Sequence, residues 1–117
     1  MASAGGDWKD FYSAAERGDA PCVRYHLEHG IDVDYQHPEV MQTALFISVL
    51  QEHTKVVEML LEFGANPNLP TELGSFTPLA AARQVRNLEL QKLLLAHGAT
   101  DSASAHRAAW WQSLLSL

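Results

Sequence analysis

Cys22, His26 and His29 are spaced by four and then three residues, so a helix would carry all three on one face. A thiol near imidazoles suggests two chemistries. One is a nucleophile with its base; the other is a pair of soft ligands for a transition metal. The spacing favours neither. A nucleophile needs an exposed thiol and a third, orienting group, and no neighbour in the pattern supplies one. A metal lacks a fourth ligand at suitable spacing, and a chain with one cysteine forms no disulfide and no thiolate cage. The sequence contains no phosphate-binding glycine loop, no nucleophile elbow and no zinc-protease motif. The expectation is a chain with no catalytic residues, no metal and no cofactor.

Bulk properties narrow the partners. The net charge of −6 leaves no basic stripe to clamp phosphates, so no nucleic acid is expected. No apolar run approaches the ~18 residues of a membrane span. Met1–Gly6 is small and polar without a basic flank, and residues 1–7 are expected to form a disordered tail, not a secretory signal. A lone cysteine suits a reducing compartment, so a cytoplasmic location is expected, with the nucleus as the other option. Residues 1–76 hold 4 Lys/Arg against 12 Asp/Glu, whereas residues 77–117 hold 4 against 2. Such asymmetry suits surface decoration first, and an orienting dipole second.

The elements that would position these residues repeat. Gly30, Gly64 and Gly98 are 34 residues apart, preceded by HLEHG, LLEFG and LLAHG. Thr43 and Thr77 keep the same interval, as do Ala14, Ser48 and Ala82. Thr77–Pro78 is a helix start, since the hydroxyl can cap and proline tolerates the first position. A helix is expected over Pro78–Val85, a second over Leu88–His97 burying Leu90, Leu93 and Leu94, and a stop at Gly98. The middle unit gives Thr43–Gln51 and Thr54–Phe63, burying Val56, Val57, Leu60 and Leu61. The first gives Trp8–Arg17 and Pro21–His29. The polar, Pro/Asn/Asp-rich segments between units suit extended loops or β-hairpins. A single helix pair cannot bury its own apolar face, so about three units must stack.

The TPLAAA motif and the runs VVEMLLEFGANPN and LQKLLLAHGAT resemble the ankyrin repeat over about Trp8 to Thr100. The resemblance implies an all-α solenoid of stacked antiparallel helix pairs with projecting hairpin-like loops. The repeats would span residues 8–36, 37–70 and 71–100. The family pattern explains His29 and His97 just before their glycines, and His53 early in a second helix, without a ligand role. It places Cys22 where valine is usual, as a small buried hydrophobe. His37 and His106 are expected on the surface. Glu52 and Arg86 replace the glycine that usually joins the two helices, a strained choice if the backbone there is left-handed. Arg83 stands where a small alanine is usual, so its head must reach water. Residues 101–117 leave the period. Ala108, Trp111, Leu114 and Leu115 would form one apolar stripe, expected to be a capping helix and otherwise a docking segment.

The resemblance also implies binding of a protein partner by a monomer, through loop tips and the exposed ends of first helices. Position by position this gives Glu16 and Arg17; Glu39, Val40, Met41 and Gln42; Leu50 and Gln51; Glu72, Leu73 and Phe76; and Gln84 and Val85. Leu50, Phe76 and Val85 are the expected anchors, with Glu39, Gln51 and Gln84 at the rim. Some of the apolar members would instead tuck against a neighbouring loop, Phe76 first among them. Asn68, in the loop after Gly64, would be structural or, as in some ankyrin proteins, hydroxylated.

Overall fold

The computed structural model describes residues 8–72 and 74–100. The expected tail (1–7), Leu73, His106 and the expected capping helix (101–117) lie outside the described residues. Six helices occur in order: α1 Trp8–Arg17, α2 Ala20–Glu28, α3 Ala44–Leu50, α4 Thr54–Glu62, α5 Pro78–Gln84 and α6 Leu88–Ala96. They pack as the pairs α1/α2, α3/α4 and α5/α6. The first helices contact one another in a row, α1–α3–α5, and the second helices in a parallel row, α2–α4–α6.

Side-chain caps start four of the helices, and the threonine caps are those the sequence places; α4 begins after His53 without one. The Thr43 and Thr77 hydroxyls accept the amide protons of Phe46 and Ala80 at 3.0 and 3.2 Å. Asp19 and Asn87 do the same for Cys22 and Leu90 at the second helices. The ends follow glycine. Gly64 has φ 93°, and the amides of Gly64 and Ala65 donate back to Leu61 and Leu60. His29 and His97 add their own ring bonds, Nδ1 meeting the carbonyl four residues earlier at 2.7 and 3.0 Å.

The core follows from the stacking. Val56, Val57, Leu60 and Leu61 are buried as expected, as are Leu90 and Leu94; Leu93 is only partly covered. The middle first helix, α3, is buried from Ala44 through Val49, because repeats flank it on both sides, whereas α1 buries only Phe11, Ala14 and Ala15. Arg83 projects outward beside buried Ala82, leaving the last repeat undistorted.

The projecting loops differ from hairpins: no strand occurs among the described residues. Pro38, Pro67 and Pro70 lack ladder donors, and side chains stitch loop to loop instead. Asp34 Oδ1 accepts the Asn66 amide at 2.9 Å. One repeat on, Asn68 Oδ1 accepts the Thr100 amide at 2.9 Å while its Nδ2 donates to the Gly98 carbonyl. Asn68 thus has a structural role. Gln36 donates to the Pro70 carbonyl and accepts the Glu72 amide.

The joint between the helices of each pair is left-handed three times: Gly18 (φ 79°), Glu52 (φ 61°) and Arg86 (φ 57°). Gly18 has a second reason to be glycine. The His53 ring lies against it, so an added Cβ would come within 2.5 Å of His53 Nδ1, while His53 Nε2 bonds the Glu16 carbonyl at 2.9 Å. Arg86→Gly is expected to raise unfolding stability by up to about 1 kcal/mol, the relief of a left-handed side chain less glycine's chain entropy. Gly18→Ala is expected to lower it by about 2 kcal/mol. Urea unfolding monitored by helical circular dichroism checks both signs.

Candidate functional site

An open groove of about 380 Å³ lies between the second and third repeats, lined by Gln42, Phe46, Leu50, Thr71, Gly74, Phe76, Ala81 and Gln84. Phe46 and Leu50, one turn apart, come from α3. Ala81, small enough to leave room, and Gln84 come from α5. The loop ahead of α5 supplies the remaining wall. Phe76 is 55% exposed and yet held. Its amide donates to Thr71 Oγ1 at 3.1 Å, its carbonyl accepts the Thr71 amide at 2.8 Å, and its ring covers Gly74, whose hydrogen leaves the space. Phe76 therefore does not tuck away. An aromatic held in place yet open to water is preorganised for contact.

The other expected site residues divide by position in the repeat. Glu16, Leu50 and Gln84 are equivalents 34 residues apart, and Leu50 and Gln84 reach the groove. Arg17, Gln51 and Val85 are also equivalents. Gln51 and Val85 are helix C-caps and stand outside the groove, so Val85 is not part of it. Arg17 instead pairs with Asp19 at 3.2 Å on the surface. Glu39 and Gln51 are exposed. Val40 is the residue that tucks back, half-buried in a crevice of only about 10 Å³ among Trp8, Tyr35 and His37. His37 is correspondingly not a free surface residue, for it stacks on Trp8 with ring centroids 3.8 Å apart. Met41 is left-handed (φ 55°), and its carbonyl accepts the Glu72 amide at 3.1 Å. Gln42 Oε1 accepts the Tyr12 hydroxyl at 2.9 Å; burial, then the nearby Glu16 charge, push the Tyr12 phenol above its ordinary value, so it remains a donor. Phe46, Thr71, Gly74 and Ala81 were missed from the sequence. Phe46 alone had a signal, four residues before Leu50 on the same helical face.

The cysteine and histidines are arranged differently from the expected face of three. His29 turns away to its own carbonyl bond and stacks on Tyr25. In its place Asp10 of α1 reaches α2: its Oδ2 lies 3.0 Å from His26 Nε2 and 3.9 Å from Cys22 Sγ. The carboxylate thus stands where a nucleophile would need its base. Burial, then the charges of Asp10 and Asp19, push the Cys22 thiol above its ordinary value, against thiolate formation. Cys22 is half-buried, not the fully covered hydrophobe its place in the repeat implied.

Comparison with known proteins agrees with this geometry. A family model described as Ankyrin repeats (3 copies) matches residues 11–105. A crystal structure of an ankyrin repeat domain from Acinetobacter baumannii superposes with a TM-score of 0.71 at 35% identity, covering 77% of this chain and 47% of that one. Ankyrin repeat and SOCS box protein 11 from Danio rerio is 40% identical over 88 residues, 75% of this chain and 29% of its own length. The human mitochondrial disaggregase is 33% identical over 89 residues, 76% of this chain and 12% of its own. The chain thus spans less than a third of these two relatives. No helix among the described residues is long and apolar enough to cross a membrane. Ankyrin repeats generally mediate protein–protein interaction. Three stacked helix pairs of one period, with a matching family model and solved neighbour, make this chain a member of the ankyrin-repeat family.

Proposed function

We propose that the chain is a non-catalytic binding module, working as adaptor, scaffold or inhibitor, that takes an apolar segment of a protein partner into the groove between its second and third repeats. The observation that carries this reading is the pairing of Leu50 with a locked, exposed Phe76 across an open groove. Apolar anchors in a pocket supply most of an interface's binding energy. Gln42, Thr71 and Gln84 supply the polar lining of the groove. The matched relatives bear unlike names and align over about three quarters of this chain, which fits a portable recognition element. A lone thiol fits a reducing compartment, cytoplasmic or nuclear.

Affinity capture from a cell lysate, with wild-type chain and variants in parallel, tests the groove. Leu50→Glu and Phe76→Ala are each expected to weaken capture of the partner by about 30-fold, the loss of about 2 kcal/mol at a hot spot. Helical circular dichroism should be unchanged. Undiminished capture by both variants rejects the groove.

Non-catalytic character has its own test at Cys22. With chelator present, iodoacetamide is expected to modify Cys22 at pH 7 more slowly than an unstructured cysteine peptide, because the raised thiol holds less thiolate. Asp10→Asn, which removes one of the charges raising it, should speed the reaction. Rapid modification at pH 6 would instead mark an activated nucleophile.

A second reading is favoured at the other end, where Leu88 and Leu95 of α6 are exposed, 69% and 47%. The apolar residues of segment 101–117 would cap that face, as terminal units of repeat arrays require. Deleting residues 106–117 is expected to lower the melting temperature sharply. A truncated chain that melts like the intact one but captures no partner would make the segment a docking site instead.

A further inference from the structure

We propose that Asp10, Cys22 and His26 bind one Zn²⁺ ion that ties α1 to α2. The three ligand atoms, a carboxylate oxygen, a thiol sulfur and an imidazole nitrogen, all lie within 4.8 Å of one another. Tetrahedral zinc with ordinary bond lengths would set oxygen and nitrogen about 3.4 Å apart and oxygen and sulfur about 3.6 Å. The two separations to Asp10, 3.0 and 3.9 Å, lie within a few tenths of an ångström of these values, and the thiol and imidazole, within 4.8 Å, would close toward about 3.6 Å by rotation of the half-buried Cys22 side chain.

The repeat shows that packing alone selects apolar residues at these positions. One period on, their equivalents are Ala44, Val56 and Leu60; two periods on, they are Pro78, Leu90 and Leu94. All six are buried, and five of them are apolar side chains at the centre of their repeat with no exposed surface beyond 1% or so. In the first repeat alone, all three apolar positions become metal-ligand types together. His26 is 5% exposed, and a buried imidazole among apolar neighbours is unfavourable unless its polar atoms are engaged. Asp10, by contrast, is 66% exposed at its side chain, which leaves water a path to the fourth coordination position. An imidazole and a thiolate select zinc over magnesium or calcium, which prefer oxygen-only shells.

Binding balances simply. The Cys22 thiol loses its proton to solvent, the Nε2 proton that bonds Asp10 in the free chain is exchanged through solvent so that Nε2 ligates and Nδ1 carries the ring proton, and Asp10 exchanges that hydrogen bond for a metal bond. The +2 ion removes the like-charge repulsion between the thiolate and Asp10. The consequence is a fastener between the two helices of the first repeat.

The test is a titration of the metal-stripped full chain with Co²⁺ and Zn²⁺. Co²⁺ is expected to produce a thiolate-to-metal charge-transfer band with tetrahedral visible bands, bleached by one equivalent of Zn²⁺. Zn²⁺ should raise the melting temperature and block alkylation of Cys22. Cys22→Ser should abolish the charge-transfer band and weaken Zn²⁺ binding by at least about tenfold, as should Asp10→Asn, whose side chain is exposed enough to leave folding intact. His29→Asn should change nothing. Absence of the band, or Zn²⁺ affinity that survives Cys22→Ser, overturns the site and leaves a hydrogen-bonded clamp between two helices. Neither result depends on the partner groove.

Discussion

A short amphipathic helix pair cannot hide its own apolar face from water. Everything in this structure follows from that constraint. Helices of seven to ten residues are too short to be stable alone, so each pair is held by the neighbour that covers it. The middle repeat has neighbours on both sides and buries nearly all of α3. Among the described residues the first and third repeats each contact one other repeat, and Asp10 on the first and Leu88 and Leu95 on the third are exposed.

Stacking at a fixed period has a second effect: it aligns equivalent residues. The Asp34–Asn66 and Asn68–Thr100 bonds are the same staple used twice, and they set each loop against the next without a strand ladder. With the loops fixed, the loop ahead of α5 turns Phe76 toward Leu50, and the groove opens where Ala81 is small. The same alignment explains why one expected anchor is absent. Val85 is the equivalent of Gln51, a helix cap, whereas Gln84 is the equivalent of Leu50. Recognition surface and core are thus two outcomes of one translation along the stack.

The first repeat meets this constraint differently. Where the later repeats bury Val56, Leu60, Leu90 and Leu94, it carries Cys22, half-buried, and His26, buried. Asp10 joins them from α1. A polar trio in a slot its sister repeats fill with hydrophobes needs a local partner for each atom, whether a neighbouring side chain or a bound ion.

The sequence by itself determined the helices, the threonine caps, the period and most of the core. These depend on local chemistry: a threonine that caps, a glycine free to turn left-handed, and leucines three and four apart. It also showed that Glu52 and Arg86 occupy glycine positions, and the backbone there is indeed left-handed. The tertiary structure alone decided what depends on distance across the fold. Whether Phe76 stays exposed or tucks away turns on a bond to Thr71 and the empty side of Gly74. Whether a loop becomes a hairpin turns on which donors its neighbour offers. The meeting of Asp10 with Cys22 and His26 spans two helices, and no spacing within either one reveals it. A one-dimensional pattern records what each helix can bury, but only the packed stack brings residues of different helices within bonding distance.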